Sequence, residues 1–381
     1  MSGKDGPSGP LSGEHGASVN VVHYVDRWLP LSAGFVHAHI SRSSHHAIVV
    51  CRDVPEHRDA FPHKPVISLG PLRWMGEGRA ARIARTAALA AITTTARAAV
   101  LHVHFGYAVH DVLGVVQRRK LPLVLSLHGD DATALPHQRP GFYDPVVDAV
   151  DALVVPSKWL ADRAADLGFD PARTHVIPAG VDTALFTPSP LPDGPPIVAF
   201  VGRFVDKKGL DTLLAAWPSV LEAVPDAQLR VLGDGPGAAL LDDAVRPRGV
   251  VHVPPDPSRR HEQVRDHLRS ATVVASPSRT AFDGDAESLL LVNLEAQACG
   301  RAVVTTRHGG IPEFVAEGTT ALVVTEGDVP ELAGALINVL RDHDLAVRLG
   351  EAGPAQAARF DVARCSARVD AVYDELVARG R

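Results

Sequence analysis

Short, wholly apolar runs recur along the chain, separated by longer stretches in which apolar residues return every three or four positions. The first pattern predicts buried parallel strands and the second predicts helices packed on them, which together make an α/β class. In the first half the spacing predicts strands at Val19–Tyr24, Ala47–Cys51, Val66–Leu69, Leu101–His104, Leu123–Leu127, Ala152–Val155 and His175–Ile177. Helices are expected over Gly78–Ala99, Val109–Arg119 and Lys158–Leu167, the last with Ser157 as N-cap. Asp182–Pro196 then carries five prolines and continues neither a strand nor a helix, so it reads as a linker. Beyond it the alternation restarts with strands at Ile197–Val201, Leu229–Leu232, Val251–Val253, Thr272–Ser276, Ala302–Thr306 and Ala321–Val324. Leu210, Leu213, Leu214, Trp217, Leu221 and Val224 form one helical stripe, inside which Pro218 is expected to kink or end the helix. Val362–Ala378 is a last helix.

The organisation expected is a disordered tail over 1–17, a first domain over 18–183 and a linker over 184–196, then a second domain over 197–358 and a terminal helix in 359–381. Two doubly wound halves of similar size bind ligands at the carboxyl ends of their strands.

Lys+Arg 38 against Asp+Glu 44 gives 38 − 44 = −6, which argues against a protein that coats nucleic acid. With 46% hydrophobic and 22% charged residues, a sizeable core is expected. No apolar stretch nears the ~18 residues of a membrane span, and the Gly/Ser/Pro-rich start lacks a signal peptide's apolar middle, so a cytoplasmic protein is expected. Cys51, Cys299 and Cys365 lie too far apart in sequence for a Cys-x-x-Cys site.

Candidate chemistry gathers after the strands. Gly202-Arg203-Phe204-Val205-Asp206-Lys207-Lys208-Gly209 links a strand to a helix start, where cations and N–H groups suit a phosphate or remain a solvated loop. Glu287 and Glu295 are eight residues apart, just over two turns, and share a face if the helix begins at Glu287. Gly233-Asp-Gly235 and His308-Gly-Gly310 either admit a ligand or form tight turns. His128 ends a strand and faces the crevice; His102 and His104 share one strand face, but no third ligand at metal-binding spacing accompanies them, so no metal site is expected. His261 and His267 are six apart and cannot hold one ion together.

In combination these segments resemble the retaining, nucleotide-sugar-dependent GT-B glycosyltransferases of family 4. The similar elements are Val201-Gly-Arg-Phe with Lys208-Gly209, Leu232-Gly-Asp-Gly-Pro236, Glu287-x7-Glu295 and Gly309-Gly-Ile-Pro-Glu313. In the first half they are His102-Val-His-Phe-Gly106, Leu127-His-Gly-Asp130 and Ile177-Pro-Ala-Gly-Val-Asp182; Leu29-Pro-Leu-Ser-Ala-Gly-Phe-Val36 resembles a loop of members acting in exopolysaccharide assembly. The resemblance implies two Rossmann-like domains facing across a cleft, acceptor in the first and donor in the second, with the last helix returning to the first. It implies that Arg203 and Lys208 hold the donor diphosphate, Glu295 the ribose, and Glu287 the donor sugar. Ser288, Leu289, Leu290, Gly233, Gly235 and Gly34 would line the donor, and His128, Asp130 and His104 the acceptor side. Front-face attack without a protein nucleophile or a metal would follow, with the nucleoside-diphosphate sugar as co-substrate and no further cofactor.

This chain departs from the family where Ser288-Leu289-Leu290 replaces a usual Gly-Leu-Pro, where a single Gly34 replaces paired glycines, and at Pro254-Pro255-Asp256-Pro257. A binding protein that has lost transfer, and an epimerase on the same scaffold, are the rival expectations. Arg79, Arg82, Arg85 and Arg97 with only Glu77 as acid could rest on an anionic membrane, but the acidic chain favours a solvated helix face.

Overall fold

The computed structural model describes residues 18–30, 33–55, 57–75, 78–242 and 246–380; the tail over 1–17, Leu31, Ser32 and Glu77 lie outside them. Seven strands make the first sheet: β1 (Asn20–Val25), β2 (His46–Cys51), β3 (Val66–Ser68), β4 (Val100–His104), β5 (Leu123–Ser126), β6 (Ala152–Val155) and β7 (Thr174–Val176). Six make the second: β8 (Ile197–Val201), β9 (Gln228–Leu232), β10 (Val250–Val253), β11 (Val273–Ser276), β12 (Ala302–Thr306) and β13 (Ala321–Val324). Their spatial orders are β3-β2-β1-β4-β5-β6-β7 and β10-β9-β8-β11-β12-β13, with every pairing parallel. β4, β5, β6, β11 and β12 are buried at every position, as strands covered by helices on both faces must be.

The covering helices of the first domain are α1 (Gly34–Arg42), α2 (Arg79–Thr95), α3 (Val109–Arg119), α4 (Ala134–Gln138) and α5 (Lys158–Asp166). Those that follow the linker are α6 (Leu210–Ala223), α7 (Arg260–Arg269), α8 (Leu291–Ala298), α9 (Val329–Arg341), α10 (His343–Ala358) and α11 (Val362–Arg379). The Ser157 hydroxyl accepts from the Leu160 N–H at 3.2 Å and caps α5. Asp328, Asp342 and Asp361 cap α9, α10 and α11 in the same way.

Three expectations need correction. Pro218 neither ends nor breaks α6, which runs to Ala223. The proline faces solvent while Leu210, Leu213, Leu214, Trp217 and Val220 are buried, and that buried stripe outweighs one lost backbone hydrogen bond. α8 begins at Leu291, so Glu287 precedes the helix. The arginines of the α2 region form no single basic stripe: Arg85 is buried beside Asp111 (3.3 Å) and Arg97 lies beyond the helix end. Among the described residues no helix is long and apolar enough to cross a membrane.

The proline-rich linker is pinned rather than loose. Arg301 is fully buried, and its guanidinium donates to the carbonyls of Ser189 (2.7 Å), Pro190 (2.8 Å) and Arg269 (2.8 Å). α11 crosses back to the first domain, where Cys365, Val369, Val372, Tyr373 and Leu376 pack under Val21, Val100 and Val124 of its sheet.

Candidate active site

The chain turns at the end of β8 through Gly202–Gly209 and enters α6, with Gly209 left-handed (φ 65°). This turn aims Lys207 and Lys208 inward. The Lys208 ammonium lies 2.7 Å from the Glu287 carboxylate, and Lys207 lies 3.0 Å from Asp285 and 4.0 Å from Glu287. Burial alone would raise the Glu287 pKa, yet Lys208 and Lys207 together hold it below the ordinary value. Burial likewise opposes the charge on Lys207, but Glu287 and Asp285 keep its pKa above that of an ordinary lysine. For Lys208 burial wins: its pKa is lowered despite Glu287, and the charges of Lys207 and Arg203 lower it further. Arg203 itself is exposed at the rim of the same loop.

A backbone bed holds Glu287 in place. Its N–H donates to His308 Nε2 (3.1 Å), and His308 Nδ1 pairs with Glu326 (2.6 Å). Gly309 has φ +52°, and a Cβ there would stand 2.0 Å from the Glu287 carbonyl oxygen, so only glycine fits. The two glycines after His308 therefore approach protein backbone. Gly233 behaves alike: a Cβ there would meet the Gly202 carbonyl oxygen at 1.9 Å. Gly235 packs on Phe204, so this pair shapes the Arg203 loop.

Ser288 bridges the cleft, its hydroxyl donating to the His128 carbonyl at 2.5 Å. The N–H groups of Ser288, Leu289 and Leu290 have no protein acceptor among the described residues, while the Leu290 side chain is buried in the core. Because α8 starts after this stretch, Glu287 and Glu295 do not stack on one helical face. Glu295 lies on α8, and burial raises its pKa to about 7, with Arg260 of α7 opposing the shift. Among the described residues Arg260 Nη1 has no partner.

Across the cleft, the turn after β5 presents His128. Its ring packs between Phe35 (centroids 4.9 Å apart) and Phe105 (4.5 Å), and burial drops its pKa to about 3, so it is neutral. Its Nε2 has no partner among the described residues. Beside it the buried Asp131 accepts the N–H groups of His128 (2.8 Å), Gly129 (2.9 Å) and Gly106 (3.0 Å) and braces the turn. Burial, and next the charge of Asp130, raise the Asp131 pKa to about 7. Asp130 accepts from the Tyr107 hydroxyl (2.6 Å) nearer the surface. His104 is buried behind His128, the two rings 6.0 Å apart and nearly parallel. Gly34 opens α1, where a Cβ would lie 3.5 Å from His261 Nε2 of the second domain. Glu313 reaches the other way, accepting the N–H groups of Lys158 and Trp159 (2.8 Å each) at the start of α5.

The structure thus brings Lys208, Glu287 and Ser288 together opposite His128, keeps Arg203 at the rim, and sets Glu295 within electrostatic reach of Arg260. Sequence reasoning gave no individual role to Lys207, Asp285, His308, Arg260 or Asp131. Lys207 and His308 lay inside segments singled out as candidate chemistry, while the contacts of the other three are set by tertiary packing.

The family described as Glycosyltransferase Family 4 matches residues 36–185, and that described as Glycosyl transferases group 1 matches residues 182–356. A GDP-mannose-dependent alpha-(1-6)-phosphatidylinositol monomannoside mannosyltransferase of Mycolicibacterium smegmatis is 35% identical over 259 residues, 64% of this chain and 67% of that protein. Matches to related mannosyltransferases of Mycobacterium tuberculosis and Corynebacterium glutamicum span 57% and 64% of those proteins. A D-inositol 3-phosphate glycosyltransferase of Corynebacterium efficiens is 30% identical over 308 residues, 72% of this chain and 70% of that protein. The solved sucrose-phosphate synthase of Thermosynechococcus elongatus superposes with a TM-score of 0.77 at 21% identity, covering 95% of this chain and 100% of its own, which shows a shared fold. Two family patterns that together run from residue 36 to 356, and relatives alike over most of their length, show that the chain belongs to glycosyltransferase family 4 and is a glycosyltransferase of the two-domain GT-B fold.

Proposed function

We propose that this chain transfers a glycosyl group from a nucleoside-diphosphate sugar to an acceptor hydroxyl with retention of configuration, its own cations serving the diphosphate in place of a metal ion. The observation that carries this reading is the largely buried Lys208–Glu287 pair, set on the loops after β8 and β11 and next to Ser288, whose hydroxyl reaches the His128 carbonyl across the cleft. As the bond from the anomeric carbon to the phosphate oxygen breaks, negative charge grows on the diphosphate and positive charge on the sugar. Lys208 and Arg203 act on the first, and the Glu287 carboxylate orients the sugar hydroxyls. The acceptor oxygen attacks from the face the phosphate leaves, and its proton passes to the departing phosphate oxygen. The N–H groups of Ser288, Leu289 and Leu290 hydrogen-bond the donor at phosphate or sugar. The neutral His128 accepts or donates one hydrogen bond at the acceptor side without adding charge.

Relatives named for GDP-mannose support a guanosine donor, and relatives named for inositol acceptors support a cyclic polyol hydroxyl as nucleophile. The test is thermal melting with GDP, UDP, ADP, CDP and TDP, without divalent ions. A ligand at about 100 times its Kd stabilises by ~2.7 kcal/mol, so GDP should raise Tm most. A melting point that moves with no nucleotide contradicts the reading, and one that moves only when Mg2+ or Mn2+ is added contradicts its metal-free part. Turnover requiring an acceptor separates transfer from epimerisation and from binding alone.

The Glu295 carboxyl offers a pH test. With its pKa near 7 in the empty protein, it must lose its proton to accept ribose hydroxyls fully. Affinity for the intact sugar nucleotide, whose diphosphate does not titrate here, should rise about tenfold between about pH 6 and pH 8. Glu295→Gln should flatten that rise. A wild-type profile already flat over this range contradicts the role.

A further inference from the structure

β1 and β4 are neighbours in parallel register, with His23 opposite His102. Period two then sets His104 on the same face as His102, and the sheet gathers three imidazoles drawn from two distant parts of the chain. All three are buried, at 0%, 1% and 2% exposure. One nitrogen from each lies within 4.8 Å of the others.

We propose that His23, His102 and His104 bind one divalent transition-metal ion of the zinc, cobalt or nickel class behind the acceptor wall. An all-imidazole set with no carboxylate suits these borderline ions and not Mg2+ or Ca2+. The 3.0 Å between His23 Nδ1 and His104 Nε2 is close to the ~3.3 Å edge that ~2.0 Å metal–nitrogen bonds give in a tetrahedron. Each of these two rings has no other hydrogen-bond partner among the described residues, since His23 Nε2 and His104 Nδ1 on their far sides are unpaired, so no competing contact holds the facing nitrogens away from an ion. His102 meets the Tyr373 hydroxyl through Nδ1 (2.5 Å) and the Ser126 hydroxyl through Nε2 (2.7 Å). An ion on either nitrogen must displace the hydroxyl there, and the remaining hydroxyl then orients the ring, as metal-bound histidines commonly have. A cavity of about 50 Å3 whose lining includes His102, His104 and Ser126, though not His23, leaves room for a water beside those two rings.

The ion would tie β1 to β4 and fix His104, on which the His128 ring stacks. Its role is therefore to stiffen the acceptor wall, and it stands apart from the diphosphate on the second domain. It neither rests on the proposed donor chemistry nor supplies it.

The test uses the full chain, stripped with a strong chelator, dialysed and titrated with Co2+ as the probe. The expected result is about one equivalent giving the intense visible absorption of tetrahedral cobalt, bleached by Zn2+, with Tm raised by roughly 5 °C or more. The double variant His23→Gln/His104→Gln should lose both signals. Only the faint absorption of octahedral cobalt with no rise in Tm would mean that surface histidines alone bind, and would overturn the proposal. Retention of band and shift by a folded double variant would overturn it equally. Should that variant fail to fold, the wild-type spectrum decides, because a band absent at tenfold cobalt excess refutes the site.

Discussion

Lys208→Ala should lower turnover by at least ~10²-fold, about 2.7 kcal/mol of transition-state stabilisation, while the protein stays folded. The ammonium stands 2.7 Å from Glu287 on the loop that opens α6, where a diphosphate leaving group gains charge as the glycosidic bond lengthens. Glu287 is not abandoned by the change, because Lys207 remains 4.0 Å away. Lys207→Ala is the natural comparison. Lys207 already holds Asp285 at 3.0 Å, so it has less charge to offer a donor, and its loss should cost turnover about tenfold. Steady-state rates at saturating donor for the two variants check the ranking. Equal turnover of Lys208→Ala and wild type would refute the role given to Lys208.

Glu287→Gln should lower turnover by a comparable factor and also destabilise the fold. It leaves Lys208, largely buried, beside a neutral amide, and breaking one side of a buried ion pair typically costs about 3 kcal/mol. The pH sign is fixed by the depressed Glu287 pKa. Its folded value lies below the 4.5 it takes unfolded, so this stabilisation is complete above about pH 5 and disappears as pH falls through the folded value. Urea unfolding of the two proteins should therefore show the full gap at pH 7 and a narrowing gap towards pH 3. A gap that is absent at pH 7, or that widens in acid, contradicts the pairing.

The strands were legible because parallel strands buried on both faces leave uninterrupted apolar runs; β6, β8, β12 and β13 fall on the spans expected, and the others differ by about a residue at one or both ends. The helix start at Glu287 was misread because Ser288–Leu290 stays outside the helix (Leu290 φ −101°, ψ 90°), with the Ser288 hydroxyl reaching the His128 carbonyl across the cleft. α1 was not among the expected helices, for it opens on Gly34 with no side-chain cap. Within the site, residues at strand ends announced themselves by position. Those defined by tertiary packing did not: Asp131 looks like a second surface acid until its three N–H donors are seen, and Lys207 differs from Lys208 only in which carboxylate it meets. His23 offered no clue, since only the β1–β4 register sets it beside His102. Even the glycines proved to serve loop-on-loop contact at Gly233 and Gly309.

A crystal structure of the chain grown with GDP-mannose and no divalent ion would show whether the cations of the second domain hold the diphosphate unaided. Diphosphate oxygens are expected within about 3 Å of Lys208 Nζ and the Arg203 guanidinium, ribose hydroxyls on Glu295, and the sugar between Glu287 and His128. A nucleotide seated elsewhere in the cleft, with Lys208 still closed on Glu287 and touching no phosphate, would contradict that arrangement.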